Sequence, residues 1–289
     1  MYEMPRTTTW AVVAAVLINA LAPAKPVRAA ETTNRARKEV RGYIERILPE
    51  SQQVRGARHQ KVAERRKQET IVMVHRGASK FAPENTLEAY AAAMDYGADG
   101  VEIDIHRSAE GVLYLLHDET LDRMVEGKGK ASEHTYYELL QMPFRNAYGA
   151  ATSETRIPTL AALVELARQR TILLHLDVKE PGIQDDIAAV FDKAESWDHI
   201  VHINDYNSDT LLKHPGLQLY GYKGWIEDAG DLNDPEVVKR FLAKPGKMLF
   251  CKEDPRPALR VLGRHTAYTS VPLPRNIHKN GPPNAAVSR

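Results

Sequence analysis

The sequence is poor in cysteine and in net charge. One cysteine, Cys251, stands among 289 residues, so no disulfide bond can form within the chain. Lys and Arg number 39 and Asp and Glu 38, which leaves a net charge of +1 and gives no electrostatic argument for a nucleic-acid partner. Because 43% of the residues are hydrophobic, the chain suits one large globular domain whose stability comes from its core and from any bound metal.

The apolar stretch near the N-terminus, residues 10–22, is too short for a comfortable membrane span of roughly 20 residues. Arg6 precedes this stretch, and Val27-Arg28-Ala29 follows it with small residues at the positions that a signal peptidase reads. Residues 1–29 are therefore predicted to be a signal peptide, which would export the protein to the periplasm or the extracellular space. An uncleaved signal anchor is the alternative, and membrane contact is expected only through that segment or through a lipid substrate.

Residues 30–70 are dense in charged and amide side chains, and their apolar positions have the sparse spacing of a thin amphipathic helix. Pro49 interrupts this pattern, and a second polar helix is expected over residues 51–68. We interpret the segment as a charged helical arm with a solvated face, in preference to a membrane-binding or partner-binding helix.

From Ile71 onward, short apolar runs alternate with amphipathic stretches, a pattern typical of strand-helix units around a parallel sheet. The predicted helices cover residues 85–96, 158–170, 185–193 and 235–242. The predicted strands cover residues 71–75, 101–105, 112–117, 172–178, 200–204, 217–222 and 248–251. Seven strands are one short of eight, so the predicted fold class is α/β, a (β/α) TIM-type barrel that is shortened or incomplete, over residues 71–265. Residues 266–289 lack periodicity and are expected to be extended or disordered.

Carboxylates occupy alternate positions on two of these strands. Glu102 and Asp104 share one face of the second strand because successive side chains point to opposite faces. A hard divalent cation would relieve the repulsion between them. The same alternation places Asp177 and Lys179 together at the C-terminal end of their strand, as a third ligand and a charge toward phosphate, or as a buried ion pair. His175 lies deeper on that strand and is expected to be a hydrogen-bonded core residue.

Two histidines and an arginine stand at strand ends. His75 ends the first predicted strand and His117 the third, so both are expected at one rim, where one imidazole accepts a proton and the other donates one. Arg76 offers a fixed fork of donors to phosphate. Carboxylates, histidines and an arginine together favour cleavage of a phosphodiester.

The runs VHRGASKFAPENT at 74–86, VEIDIH at 101–106 and LLHD at 115–118 resemble the glycerophosphodiester phosphodiesterase family, and the resemblance extends over residues 71 to about 207. It implies a barrel that holds one divalent cation, Ca²⁺ or Mg²⁺, and small glycerophosphodiester substrates. Residue by residue, it implies an acid/base pair of His75 and His117 and a metal site of Glu102, Asp104 and Asp177. It further implies phosphate contacts from Arg76 and Lys179, with Glu84 and Asn85 orienting the first loop and capping its helix.

Two positions depart from the family pattern. Asp177-Val178-Lys179 stands where the family usually has Glu-x-Lys, which shortens the third ligand by one methylene. The segment FCKEDP at 250–255 is a poor match to the family's closing turn, so the barrel is expected to be shortened or open on one side. Tyr222 and Trp225 either wall the alcohol pocket or pack in the core.

The resemblance implies hydrolysis through a cyclic phosphate to glycerol 3-phosphate and an alcohol. Two alternatives stay open at this point. One is phospholipase D-like cleavage of lysophospholipids, which requires an apolar groove near the site. The other is a phosphodiester-binding relative without turnover.

Overall fold

The computed structural model describes residues 47–145, 151–152, 154–205 and 209–264. The predicted signal peptide, the first part of the predicted arm and the predicted C-terminal tail lie outside the described residues. Within them, no helix is long and apolar enough to cross a bilayer.

The fold alternates strands and helices around one sheet of seven strands. The strands are β1 (Ile71–Val74), β2 (Gly100–Arg107), β3 (Leu113–Leu115), β4 (Leu173–Val178), β5 (Ile200–Asn204), β6 (Tyr222–Trp225) and β7 (Met248–Cys251). The helices are α1 (Gln52–Arg66), α2 (Leu87–Asp95), α3 (Tyr136–Gln141), α4 (Leu160–Arg170), α5 (Gln184–Ala194), α6 (Asp209–Leu212), α7 (Pro235–Leu242) and α8 (Arg256–Val261). Six strands are parallel in the order β5-β4-β2-β1-β7-β6, which is the predicted barrel in shortened, open form.

The third predicted strand is not a barrel strand. β3 pairs antiparallel with the far end of β2, in the register Ile105 to Leu115. The prediction of a parallel strand here was wrong because only residues 108–112 separate the two strands, whereas a parallel crossover needs a dozen residues or more. The hairpin nevertheless returns the chain to the C-terminal ends of the barrel strands, where the backbone N–H of Leu116 donates to the carbonyl of Asp104 at 3.2 Å.

Alternate residues of the parallel strands enter two different cores. Ile71 and Met73 of β1 join Leu173, Met248 and Phe250 in a cluster inside the barrel. The residues between them on each strand face the surrounding helices and belong to the large outer core. Because side chains alternate along each strand, the same interior face that is apolar inside the barrel carries the polar residues at the C-terminal strand ends.

Helix α1 packs under the barrel. Its N-cap Ser51 accepts a hydrogen bond from the backbone of Val54, and Val62 on its inner face is completely buried in the interior cluster. Arg58, also buried, donates to Glu50 and to the carbonyl of Glu195. The predicted polar helix over residues 51–68 is confirmed, and its buried face closes the barrel floor.

The barrel has a seam between β5 and β6. Within the part of the chain that is described, no strand pairing joins the two, and the backbone N–H of Tyr220 donates to Val201 at 2.8 Å across the gap. Arg66 of α1 donates to the carbonyls of Ile200 and Gln218 on the two sides of this seam. The strand predicted at residues 217–222 begins only at Tyr222, because the preceding residues bridge the seam instead.

The segment that we call the hairpin region, residues 108–145, has a core of its own. Apart from Leu113 and Leu115, which belong to the large outer core, its buried apolar side chains form a separate cluster with Ile157. Leu121, Met124 and Val125 within it are completely buried. The hairpin region is therefore a small packed unit that lies against one side of the barrel mouth.

Candidate active site

Three carboxylates meet at the C-terminal ends of two neighbouring strands. β2 and β4 pair in register with Asp104 opposite Asp177, and Glu102 lies one pleat lower on the same face. One oxygen from each of Glu102, Asp104 and Asp177 lies within 4.8 Å of the others. The shorter Asp177 therefore still reaches the cluster.

Lys179 lies against this carboxylate cluster. Its Nζ is 2.6 Å from Oδ2 of Asp177 and 2.8 Å from Oδ1 of Asp104. The buried Oδ1 of Asp104 nevertheless accepts no hydrogen bond of acceptable geometry. An ammonium group in this place compensates part of the negative charge of the cluster.

The cluster fits a hard divalent cation. Burial, followed by the negative charges of Asp104 and Asp177, raises the pKa of Glu102 well above its usual range. A divalent ion would remove this conflict and would gain oxygen ligands, including the unsatisfied Oδ1 of Asp104. The residues present thus match the donor set that Ca²⁺ and Mg²⁺ take in proteins.

His75 and Arg76 follow directly after β1. The backbone N–H of Arg76 donates to Oε2 of Glu102 at 3.0 Å, and Nε2 of His75 lies 3.9 Å from the same oxygen. Arg76 has a φ of 57°, a left-handed conformation that turns the chain sharply at the strand end. Burial, followed by the positive charge of Arg76, lowers the pKa of His75 to about 4.

Asn85 connects the first loop to the carboxylates. Its Nδ2 donates to Oδ2 of Asp104 at 2.7 Å, while its Oδ1 accepts from the hydroxyl of Tyr90 at 2.6 Å. Thr86, the next residue, caps α2 by accepting from the backbone of Ala89. Asn85 therefore orients Asp104, whereas the helix is capped by Thr86 and not by Glu84 or Asn85.

His117 belongs to a chain of charged groups. Its Nδ1 lies 2.7 Å from Oδ1 of Asp118, whose two oxygens accept from Nε and Nη2 of Arg123 at 2.5 and 2.9 Å. The same Nη2 donates to Oε1 of Glu84 at 2.6 Å, and Nη1 of Arg76 donates to that oxygen at 3.1 Å. His117 in the hairpin region is thus linked to Arg76 on the barrel.

Aromatic rings line the side of the site next to the seam. The ring of Trp225 meets that of His75 edge-on at 5.2 Å, and Tyr222 places its hydroxyl 3.1 Å from Nε2 of His175. His175 is buried, and burial lowers its pKa to about 3, so it is the hydrogen-bonded core residue that was predicted. Both aromatic residues belong to β6 itself.

The structure brings the predicted site residues together at the barrel mouth. The direct contacts given above join His75, Arg76, Glu84, Asn85, Glu102, Asp104, Asp177 and Lys179. His117 joins them through Asp118 and Arg123, and its charge also bears on the pKa of His75.

Sequence reasoning gave no role to three residues in or beside the site, Asp118, Arg123 and Glu180. Arg123 stands in a loop, where Asp122 and Arg123 lie between the buried residues Leu121 and Met124, and this charged pair flanked by apolar residues was the available signal. Glu180 accepts from the backbone of Arg107 and lies 2.8 Å from Nδ1 of the buried His106. It directly follows Lys179, and its type alone gave no indication of this contact.

Solved structures with this architecture include two bacterial phosphodiesterases. A glycerophosphodiester phosphodiesterase from Agrobacterium tumefaciens aligns with a TM-score of 0.53 and 22% identity, over 65% of this chain and 99% of that one. A putative glycerophosphoryl diester phosphodiesterase from Silicibacter pomeroyi aligns with a TM-score of 0.54 and 17% identity, over 69% and 96%. At these identities the likeness supports the barrel fold alone.

Sequence relatives are more similar over shorter stretches. A glycerophosphodiester phosphodiesterase of Caldanaerobacter subterraneus subsp. tengcongensis is 34% identical over 147 residues, 49% of this chain and 60% of that protein. One from Bacillus altitudinis is 29% identical over 151 residues, 50% and 62% of the two lengths. The chain thus spans about three fifths of the length of these relatives.

The family model for the glycerophosphoryl diester phosphodiesterase family matches residues 75–245. This match begins at His75, contains every carboxylate of the cluster, and covers more than half of the chain. The chain belongs to the glycerophosphoryl diester phosphodiesterase family.

Proposed function

We propose that the protein is a metal-dependent hydrolase that cleaves glycerophosphodiesters to glycerol 3-phosphate and an alcohol. The observation that carries the proposal is the meeting of the carboxylate cluster with His75 and Arg76, in which Nε2 of His75 lies 3.9 Å from Oε2 of Glu102. An acid/base group, a phosphate-binding fork and cation ligands within one site are the parts that phosphodiester cleavage requires.

Glu102, Asp104 and Asp177 are the proposed ligands of one divalent cation, Ca²⁺ or Mg²⁺. When bound, the cation supplies Lewis-acid stabilisation of the charge on the phosphate oxygens. Nζ of Lys179 lies 2.6 Å from Oδ2 of Asp177. When the cation binds the carboxylates, this ammonium group can turn to a phosphate oxygen.

The chain's own groups provide proton transfer and orientation. One imidazole of the pair His75 and His117 removes the proton of the glycerol 2-hydroxyl, whose oxygen attacks phosphorus, and the other protonates the departing alcohol. A cyclic phosphate results, and water opens it with the roles reversed. Arg76 holds a phosphate oxygen, and Trp225 and Tyr222 wall the space for the alcohol.

The described surface gives limited support to lysophospholipids as substrates. Among the described residues, the exposed large hydrophobic side chains include Leu212, Leu219 and Tyr222, of which Tyr222 lines the site. An acyl chain requires a continuous apolar surface, so the small glycerophosphodiester remains the favoured substrate. Export to the periplasm or the extracellular space is part of the same proposal and rests on the sequence of residues 1–29.

The testing experiment measures release of glycerol 3-phosphate from a panel of glycerophosphodiesters, with Ca²⁺, with Mg²⁺ and with a chelator. We expect hydrolysis that the chelator abolishes, and a loss of about 10²- to 10⁴-fold in kcat for His117→Ala. His134→Ala is the matched control, because His134 lies in the same hairpin region with a side-chain exposure of 31% against 34% for His117. A metal-loaded protein that binds these diesters without turnover would support the binding relative instead, and cleavage of lysophosphatidylcholine alone would support the lipid-cleaving alternative.

A further inference from the structure

The proposed acid/base pair is divided between two packed units. His75 directly follows β1 of the barrel, whereas His117 belongs to the hairpin region, most of whose buried apolar side chains form a core separate from those of the barrel. A proton-transfer site needs its two groups fixed relative to each other within fractions of an ångström. Polar contacts across the boundary between the two units are therefore the place to look for residues that set this geometry.

Arg123 makes such a contact on both sides. Toward its own unit it binds Asp118 through two nitrogens, with Nε to Oδ2 at 2.5 Å and Nη2 to Oδ1 at 2.9 Å. Toward the barrel, Nη2 donates to Oε1 of Glu84 at 2.6 Å, and Glu84 also accepts from Arg76. The planar fork of a guanidinium suits a bidentate contact that fixes orientation as well as distance.

The backbone that carries Arg123 is held in place. Leu121, two residues before it, and Met124, directly after it, are completely buried, and the backbone N–H of Leu121 donates to the carbonyl of Gly129 across the loop at 2.9 Å. The hydrogen bonds from Arg123, followed in effect by the one from His117, lower the pKa of Asp118 to about 2 despite partial burial. Asp118 therefore remains a carboxylate at neutral pH and accepts the Nδ1 proton of His117, which leaves Nε2 for proton exchange.

We propose that Arg123 is a positioning residue that fixes His117 through Asp118 and fixes Arg76 through Glu84, and so holds the hairpin region in register with the barrel site. The inference rests on the proposed hydrolysis and names two further residues of that same site, Arg123 and Asp118. Neither touches the substrate in this assignment. Asp118 acts on one imidazole, whereas Arg123 acts on both the imidazole and the phosphate-binding arginine.

This difference predicts different kinetic effects. Asp118→Asn removes the charge beside His117 and is expected to lower kcat about 10- to 100-fold with KM changed by less than about threefold. Arg123→Met is expected to lower kcat by a similar factor and also to raise KM, because Glu84, which holds Arg76, loses its hydrogen bond from Arg123. The double variant is expected to lose little more kcat than Arg123→Met alone, since both changes act through one imidazole.

The control is Arg256→Lys, compared with Arg123→Lys. Arg256 makes the same kind of bidentate contact with Asp254, from Nε to Oδ1 at 2.9 Å and from Nη2 to Oδ2 at 2.6 Å. Its side-chain exposure of 38% is close to the 34% of Arg123. Lysine keeps the charge but not the fork, so Arg123→Lys is expected to lose activity and Arg256→Lys to stay within about twofold of the wild type. Thermal unfolding of each variant, followed by circular dichroism, establishes that the assayed protein is folded; if Arg123→Met does not fold, the lysine pair decides.

Each outcome has one meaning. Unchanged kcat in Asp118→Asn and Arg123→Lys, in a wild-type protein that hydrolyses glycerophosphodiesters, would overturn the inference and leave the proposed function standing. Losses that multiply fully in the double variant, or equal losses in Arg256→Lys, would also overturn it. A folded, metal-loaded wild-type protein without hydrolysis of any diester would instead overturn the proposed function.

Discussion

Lys179 and Asp104 face each other across neighbouring strands, with Nζ of the lysine 2.8 Å from Oδ1 of the aspartate. Burial tends to lower the pKa of Lys179, but the negative charges of Asp104 and Asp177 and the hydrogen bonds to them together outweigh burial, and the pKa is raised. The ammonium group is therefore charged and available both to the carboxylates and to an incoming phosphate.

Lys179→Met is expected to lower kcat/KM for a glycerophosphodiester by about 10- to 100-fold, the equivalent of one charged hydrogen bond of about 1.5–3 kcal/mol. Lys80→Met provides the control. Lys80 is 54% exposed, and its Nζ lies 3.2 Å from Oδ2 of Asp254, which is not part of the carboxylate cluster. Steady-state kinetics of both variants at saturating metal test this prediction. Equal activity of the two variants would remove Lys179 from phosphate binding.

Asp104→Asn is expected to abolish the stabilisation of the protein by Ca²⁺ or Mg²⁺. For the wild type, a metal concentration 100 times the Kd should add about 2.7 kcal/mol to the free energy of unfolding. Asp186→Asn is the control, since Asp186 is 46% exposed and pairs with Arg107. Thermal unfolding with and without each metal measures the effect, and metal stabilisation that survives in Asp104→Asn would argue against the carboxylate cluster as the cation site.

Val62→Ala is expected to lower the free energy of unfolding by about 2 kcal/mol, because it removes two buried methyl groups from the barrel floor. Val54→Ala in the same helix should change it by less than about 0.5 kcal/mol, since Val54 is 56% exposed. Urea unfolding of both variants gives the comparison. Similar effects of the two changes would mean that α1 does not contribute a packed floor in solution.

His199→Asn is expected to flatten the pH dependence of stability between about pH 6.5 and pH 4. His199 is completely buried, its Nδ1 lies 2.6 Å from the carbonyl of Ile172, and burial lowers its pKa to about 4. In the unfolded state the histidine pKa is about 6.5, so the unfolded state binds a proton in this window that the folded state does not. Stability therefore falls as the pH falls, by on the order of 3 kcal/mol across the whole window. Asparagine keeps the donor to Ile172 and cannot titrate.

The measurement is urea unfolding of the two proteins at several pH values in the presence of a chelator, which keeps the carboxylate cluster free of metal in both proteins. The free energy of unfolding should depend less steeply on pH in His199→Asn, because the variant takes up as much as one proton fewer on unfolding. Parallel curves for the two proteins would show that His199 does not carry this dependence.

The sequence was sufficient for the barrel strands and the carboxylate cluster because both follow from alternation. Once β2 and β4 are recognised, Glu102, Asp104 and Asp177 must share the interior face near the strand ends. The predicted bounds of β5 and β7 agree with the observed ones for a similar reason, as each is a short apolar run between turn residues.

Alternation along a strand does not say which neighbour the strand pairs with. The location of His117 at the barrel mouth was expected from a parallel strand, yet an antiparallel hairpin delivers it there, and the length of the turn before Leu113 was the overlooked signal. The Arg123 contacts join residues 84, 118 and 123 through side chains from two units, and such tertiary pairs leave no periodicity in a single sequence. The buried face of α1 was likewise hidden, because its charged residues find partners that the sequence does not name.

The seam of the barrel leaves β5 and β6 as edge strands, and unpaired strand edges are templates on which other chains can add strands and aggregate. Part of the β5 edge is covered, since the backbone N–H of Tyr220 occupies the carbonyl of Val201, and Arg66 of α1 joins Ile200 to Gln218 across the seam. Helix α1 therefore holds the two sides of the seam together in addition to filling the barrel floor. Tolerance of an incomplete barrel in this chain depends on a helix that the parallel sheet itself does not contain.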